Sequence, residues 1–339
     1  MTRRALITGI TGQDGAYLAR LLLGKGYDVV GGSRPSPARD LWRLRAVGID
    51  RDVRIADLEL LDSSNILSVI ERERPHEIYN LAAQSVVHSS FRTPVLTGDA
   101  DALGAARILE AIRKVDSSIR FYQASTSEMF GDTDESPQSE TSAFCPRSPY
   151  GVAKLYAHWM TVNFRNADGL FACSGILFNH ESPLRGREFV TRKITHGLAA
   201  IALGQCDCIE LGNLDARRDW GFAADYVEGM WKMLQGKAPQ DYVLATGRSH
   251  SVRNFCEAAA TAVDLDLVWQ GAGIDEKGID SRTGRTIIRV SSDFYRPTER
   301  QPLVGNAAKA GRELGWRSTM SFPELVRTMA EADLKLARR

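Results

Sequence analysis

In the run Tyr150-Gly-Val-Ala-Lys154, a phenol and an ammonium stand four residues apart, about one turn along one face of a helix. A cation beside a phenol favours the phenolate and draws its pKa from about 10 towards neutrality, where it can act as base towards a hydroxyl. Pro146-Arg147-Ser148-Pro149 precedes the pair, and its two prolines fix the start of that helix close to Tyr150. Upstream, the run Phe121-Tyr122-Gln123-Ala124-Ser125 opens into Thr126-Ser127-Glu128-Met129-Phe130-Gly131, in which Glu128 is the one carboxylate. A strand end of this kind faces the ligand crevice of an open parallel sheet, so Glu128 stands where chemistry is expected. The same residues also read as a helix start, with Thr126 or Ser127 as cap and Glu128 in the first turn.

A second polar constellation lies at the beginning of the chain. Thr8-Gly9-Ile10-Thr11-Gly12-Gln13-Asp14-Gly15 spaces Gly9, Gly12 and Gly15 as G-x-x-G-x-x-G between an apolar run and a helical one. Glycines so placed let the backbone turn tightly and approach a pyrophosphate, which the N–H groups and dipole of the helix start then hold. The chain here is expected to bind a dinucleotide. An acidic residue at the end of the second strand would select a ribose hydroxyl, but Gly32-Ser33-Arg34 carries no carboxylate. Arg34 offers a fork for a 2′-phosphate and Ser33 a hydroxyl, so NADP is the expected cofactor; an arginine merely in solvent is the alternative for Arg34. Asp57 and Leu58, after the next strand, either hold the adenine edge or close a turn.

Elements that could position these groups follow from periodicity. Strand patterns at 5–8, 27–32, 55–58, 77–82, 119–124 and 171–177 alternate with helical patterns at 16–23, 63–73, 101–113 and 150–164. This alternation predicts an α/β fold, a doubly wound parallel Rossmann sheet, with a smaller C-terminal substrate-binding lobe. The expected division is 1–178 for the cofactor domain, with some later segments returning to it, and 179–339 mainly for the substrate lobe.

Composition narrows the partners. At 339 residues, 43% hydrophobic and 25% charged, the chain reads as an ordinary globular protein. Its net charge of +1 gives no reason to expect nucleic acid or an anionic membrane. The five cysteines lack zinc spacing, Cys206-Asp-Cys208 cannot by itself fill a tetrahedral site, and no metal is expected. Neither a secretory signal nor a run of the ~20 apolar residues of a spanning helix is visible, so the cytoplasm is the expected compartment.

These motifs together resemble the GDP-mannose 4,6-dehydratase family of extended short-chain dehydrogenases/reductases. The match runs through residues 9–15, Tyr79-Asn80-Leu81-Ala82-Ala83-Gln84-Ser85, 121–131 and 148–154. It continues through 175–183, 189–194, 211–221, 276–280 and 295–299, nearly the whole chain. Thr126-Ser127-Glu128 is the most telling part, since reductases and epimerases on this scaffold usually lack a glutamate there. The resemblance implies that Tyr150, supported by Lys154 and Thr126, takes a proton from the C4 hydroxyl of GDP-mannose, and that Glu128 serves C5 and C6. It implies cofactor contacts from Gly9, Thr11, Gly12, Gln13, Asp14, Gly15, Arg34, Asp57, Leu58, Leu81, Ala82, Ala83, Ser85, Tyr150 and Lys154, with His180 and Arg185 at the border. It assigns the GDP-sugar to Ser85, Ser127, Glu128, Asn179, Val190, Lys193, Leu211, Gly212, Arg218, Arg296 and Glu299, and implies a homodimer or homotetramer.

Three departures bear on these expectations. The family's Arg-Arg-Ser run after the second strand is here Arg34-Pro35-Ser36, Cys145 stands where an aromatic residue is usual, and Gln301-Pro302 replaces an acidic and apolar stretch. The first bears on NADP preference and tetramer assembly. Changes near the mouth leave a related GDP-sugar, such as GDP-D-glycero-D-manno-heptose, as alternative substrate. A GDP-sugar 4-reductase or epimerase would need Tyr150 and Lys154 without Glu128, and an idle cofactor-binding module would turn over no sugar.

Overall fold

A computed structural model describes residues 2–294 and 303–338. The chain divides into two compact units, the first built from 1–178, 223–245 and 305–317, the second from 179–222, 246–304 and 318–339.

The first unit is organised by a seven-stranded sheet. Its strands are β1 (Arg4–Thr8), β2 (Asp28–Ser33), β3 (Arg54–Asp57), β4 (Glu77–Asn80), β5 (Arg120–Thr126), β6 (Ala172–Leu177) and the segment Tyr242–Leu244, which returns after a long excursion. Their order is β3-β2-β1-β4-β5-β6 and then Tyr242–Leu244, with parallel pairing throughout. Strands covered by helices on both faces must be apolar on both, and β4 and β6 are buried at every residue. Leu6, Ile78 and Phe121 pack with Ile66 and Ile70 of the helix Ser63–Glu73 and with Ile108 and Ile112 of the helix Gly104–Val115. The order reverses between β1 and β4, which places a crevice at their carboxyl ends.

One helix departs from its expected form. Periodicity predicts a helix over 101–113, whereas the segment Gly98–Leu103 forms a wide π turn ahead of the regular helix Gly104–Val115. An apolar repeat reports the face of a helix but not a one-residue widening of its turn.

The second unit has its own core, in which Trp220, Phe255, Leu198, Ile288 and Met329 are buried together. The helices Val190–Ala202, Val252–Ala262 and Phe322–Ala337 pack with a four-stranded sheet of Leu267–Gln270, Lys277–Asp280, Arg285–Val290 and Ile209–Leu211. Arg192 and Asp333, both buried, join the first and last of these helices through an ion pair of 2.5 Å, and Thr195 donates to the same carboxylate at 2.6 Å. Among the described residues no helix is long and apolar enough to cross a membrane, and the cysteines are unpaired.

Candidate active site

Two sets of groups lie in the first unit. The first begins where β5 ends. Thr126 leaves the strand and its Oγ1 accepts the backbone N–H of Glu128 at 3.2 Å, capping the short turn Ser127–Met129. Thr126 is therefore a cap, and that capping fixes the backbone carrying Glu128. Behind the turn, the N–H of Cys145 donates to the carbonyl of Met129 at 3.0 Å, and Phe130 packs on Phe144 with centroids 5.2 Å apart. Gly131, at φ +52°, has no room for a side chain against the Cys145 carbonyl.

The helix Pro149–Asp168 starts against this turn. Ser148 caps it, its Oγ accepting the N–H of Gly151 at 3.0 Å, and Pro149 supplies the preset first residue. A Cβ on Gly151 would lie 2.8 Å from the carbonyl oxygen of Glu128. Contact this close brings the backbone of Glu128 directly onto the first turn of the helix that carries Tyr150. Both Glu128 and Tyr150 are half-buried. One turn on, Lys154 is 3% exposed; its Nζ donates to the Ala124 carbonyl of β5 at 3.0 Å and lies 5.8 Å from the Tyr150 ring centroid. Burial pulls the Lys154 ammonium below its ordinary pKa, against the opposing pull of the Asp101 and Asp14 carboxylates.

The second set is a cleft of about 360 Å³ over the crevice between β1 and β4. Gly9, Thr11 and Gly12 line one side, Leu81, Ala82, Ala83 and Ser85 another, and Arg34 and Leu58 the far end. Gly9 adopts φ +70°, and a Cβ there would meet the Ala82 nitrogen at 2.8 Å, so only glycine lets the two loops close on one another. A Cβ on Gly15 would likewise meet the Gly9 carbonyl oxygen, at 2.5 Å. Thr8, not singled out from the sequence, accepts the N–H groups of Leu81 and Ala82 at 3.0 Å each and fixes the second loop. Gln13 and Asp14 begin the helix Gln13–Gly24 rather than line the cleft, and the Asp14 charge acts on Lys154. Asp57 is outside the lining too, because its carboxylate pairs with Arg39. Arg39, which the sequence reading missed, also donates to the Arg34 carbonyl at 2.9 Å, and its Nε is buried without a partner among the described residues. Nothing in the local pattern of 34–42 signals that contact, since a loop fold creates it.

The remaining expected residues belong to the second unit. Lys193 and Gly212 converge on Phe294: the Lys193 ammonium stands 3.8 Å over its ring, and Gly212 abuts its carbonyl. Leu211 accepts the N–H of Ser291 at 2.9 Å beside them. Burial lowers the pKa of Lys193, with Glu210 opposing. Val190, exposed, opens the helix on which Lys193 lies. Asn179 and His180 occupy the strand Asn179–Glu181, paired with Trp220–Phe222, and Arg218 lies on the strand Arg217–Arg218 paired with His250–Ser251. Arg185 pairs with the buried carboxylate of Glu181 at 3.2 Å and covers the Phe189 ring at 3.6 Å, a structural engagement within this unit. Arg296 and Glu299 lie outside the described residues.

The sequence model of the GDP-mannose 4,6 dehydratase family matches residues 6–329. The chain belongs to this family. It is 49% identical over 343 residues to the GDP-mannose 4,6 dehydratase of Drosophila melanogaster, covering 99% of this chain and 87% of that one. With the GDP-mannose 4,6-dehydratase of Sinorhizobium fredii (strain HH103) it shares 51% over 341 residues, 98% of this chain and 97% of the relative. Its fold is that of the UDP-glucose 4-epimerase of Thermotoga maritima, solved with UDP-glucose, at a TM-score of 0.82 and 20% identity over 98% of this chain and 99% of that one. Because the fold is shared with an epimerase, it is the family match and not the fold that sets this chain apart.

Proposed function

We propose that this chain is a GDP-mannose 4,6-dehydratase that converts GDP-mannose to GDP-4-keto-6-deoxymannose with loss of one water. The observation that carries the reading is the close approach of the Glu128 backbone to Gly151, which seats a carboxylate-bearing turn on the first turn of the helix that carries Tyr150 and, one turn on, Lys154. Tyr150 accepts the proton of the C4 hydroxyl, and the Lys154 ammonium stabilises the phenolate that must exist beforehand. Thr126 supports the C4 oxygen. A nicotinamide cofactor held by the loops around Gly9 and Ala82 would supply the hydride acceptor for C4 and the hydride donor for C6. With C4 a ketone, the C5 proton is acidic, and Glu128 removes it and hands a proton to the departing C6 hydroxyl; C5 takes up a solvent-derived proton as C6 gains its hydrogen. Nothing is oxidised overall, so no external reductant is required.

The cleft around Gly9 fits a dinucleotide pyrophosphate, because a side chain at Gly9 or Gly15 would fill the backbone cradle. Arg34, Ser33 and Arg39 favour NADP. Arg39 neutralises Asp57, whose free carboxylate would repel a 2′-phosphate, and brings a second guanidinium near Arg34. In the second unit, Lys193, Arg218 and Asn179 are the groups suited to the GDP portion. Val152, Tyr156 and Trp159 expose an apolar stripe on the outer face of the helix Pro149–Asp168, which fits assembly as a homodimer or homotetramer. The cytoplasm suits its unpaired thiols.

Incubation with GDP-mannose and NADP, without reductant, tests the reading by mass. The expected product is lighter by one water with the cofactor pool unchanged; unaltered GDP-mannose would overturn it.

A further inference from the structure

A row of polar side chains crosses the carboxyl end of the parallel sheet, where covered strands mostly bury apolar ones. Thr8 of β1, Asn80 of β4 and Gln123 of β5 stand opposite one another in register and are 0%, 2% and 0% exposed. Thr8 Oγ1 donates to Asn80 Oδ1 at 2.8 Å, Asn80 Nδ2 to Gln123 Oε1 at 2.8 Å, and Gln123 Nε2 to the Ala124 carbonyl at 2.9 Å. On the next strand Ser174, opposite Gln123, meets Ser125 Oγ at 2.7 Å and His158 Nδ1 at 2.9 Å.

The two ends of the row fix its direction. Thr8 Oγ1 already accepts two N–H groups, from Leu81 and Ala82, so its proton points onward and Asn80 must present its oxygen. The Asn80 amino group is thereby turned to the oxygen of Gln123, and the Gln123 amino group to a carbonyl, which only accepts. At that carbonyl the row meets Lys154, whose Nζ donates to the same oxygen at 3.0 Å. Because β4 ends at Asn80, the Ala124 carbonyl lies just past the last β4–β5 pair, where the Gln123 side chain reaches it. From Ala124 the strand runs on to Thr126, the cap of the Glu128 turn. The row thus begins on the loop that lines the cofactor cleft and finishes on the strand end that carries the chemistry.

We propose that Asn80 and Gln123 are positioning residues for the hydride steps: together they brace the loop at Leu81 and Ala82 against the strand end at Ala124, and so set the spacing between the cofactor cleft and the Tyr150–Lys154 pair. This rests on the reading of Tyr150 and Lys154 as the catalytic pair. Neither Asn80 nor Gln123 lines the cleft, so each acts through the residues it holds. Packing alone would be served equally by apolar side chains of the same shape, because replacing both members of a bonded pair strands no polar group between them.

The test compares Gln123→Met, Asn80→Leu and the double variant in the full chain. Each single change strands the other buried amide, so Tm should fall in both, and the double variant should recover most of that loss. With GDP-mannose and NADP, kcat should fall about ten- to a hundredfold in the single variants and stay down in the double, the scale of a small misplacement near reacting atoms. KM for GDP-mannose should change little. Without substrate, the Tyr150 phenol, followed by NMR of its Cζ, should titrate about one pH unit higher in the double variant, because Lys154 has lost the fixed acceptor that holds its ammonium beside the ring. Wild-type kcat in a folded double variant, or an unchanged Tyr150 midpoint, overturns the proposal. If one variant fails to fold, the remaining ones carry both readouts. Because the titration needs no substrate, its failure leaves the dehydratase reading standing, and a wild-type chain that turns over no GDP-mannose leaves the brace to be decided by the titration.

Discussion

In the proposed mechanism, Glu128 separates dehydration from the other reactions open to this scaffold. Tyr150 and Lys154 suffice to take a proton from a hydroxyl, but only a second base removes a C5 proton and carries it to a leaving hydroxyl. Glu128→Gln keeps the shape of the side chain and its capped backbone and abolishes its basicity, so kcat should fall by about 10²-fold or more. NADP affinity, read by calorimetry, should be unchanged; undiminished turnover in the variant would remove Glu128 from the mechanism. Beside Arg34, Arg39→Ala should weaken NADP about tenfold, the scale of one charge-assisted hydrogen bond. NAD binding should not weaken, because the freed Asp57 carboxylate then suits a ribose hydroxyl. Equal effects on the two cofactors would assign Arg39 to the loop fold alone.

The elements make these residues useful. The turn after β5 and the helix Pro149–Asp168 are locked by a glycine, and Gly151→Ala should force them apart, since the added methyl would meet a backbone oxygen at 2.8 Å. Displacement of this kind near the reacting atoms costs about ten- to a hundredfold in kcat, with cofactor affinity retained; wild-type kcat in a folded Gly151→Ala chain would contradict the close-packing argument. At this scale the sequence was most legible. The alternating apolar runs located six of the seven strands of the parallel sheet and the longer helices between them, though not the strand Tyr242–Leu244, and the prolines Pro146 and Pro149 marked the start of the helix that carries Tyr150. The short turn at Ser127–Met129 realises the cap reading of Thr126 and leaves Glu128 just past the strand end. Arg39 was not legible. It reaches Asp57 and the Arg34 carbonyl through a loop, and periodicity carries no record of which distant residue such a segment will meet.

At the scale of the whole molecule, the sheet and the second unit each bury a core of their own. Later segments 223–245 and 305–317 belong to the first unit, so no single cut in the sequence separates the two. The second unit is closed by a buried charge pair between Arg192 and Asp333. Asp333→Asn leaves a guanidinium buried without its counter-charge, a loss of about 3–5 kcal/mol. Hydrogen exchange should show faster opening in the helices Val190–Ala202 and Phe322–Ala337 while the amides of β1, β4 and β5 keep their protection. Uniform loss of protection would mean that the two cores open as one.

The most direct test of the central claim uses GDP-mannose carrying deuterium at C4. An internal cycle predicts a 4-keto-6-deoxy product with that deuterium on C6 and a single solvent-derived hydrogen at C5. Deuterium left on the cofactor, or released to water, would contradict it.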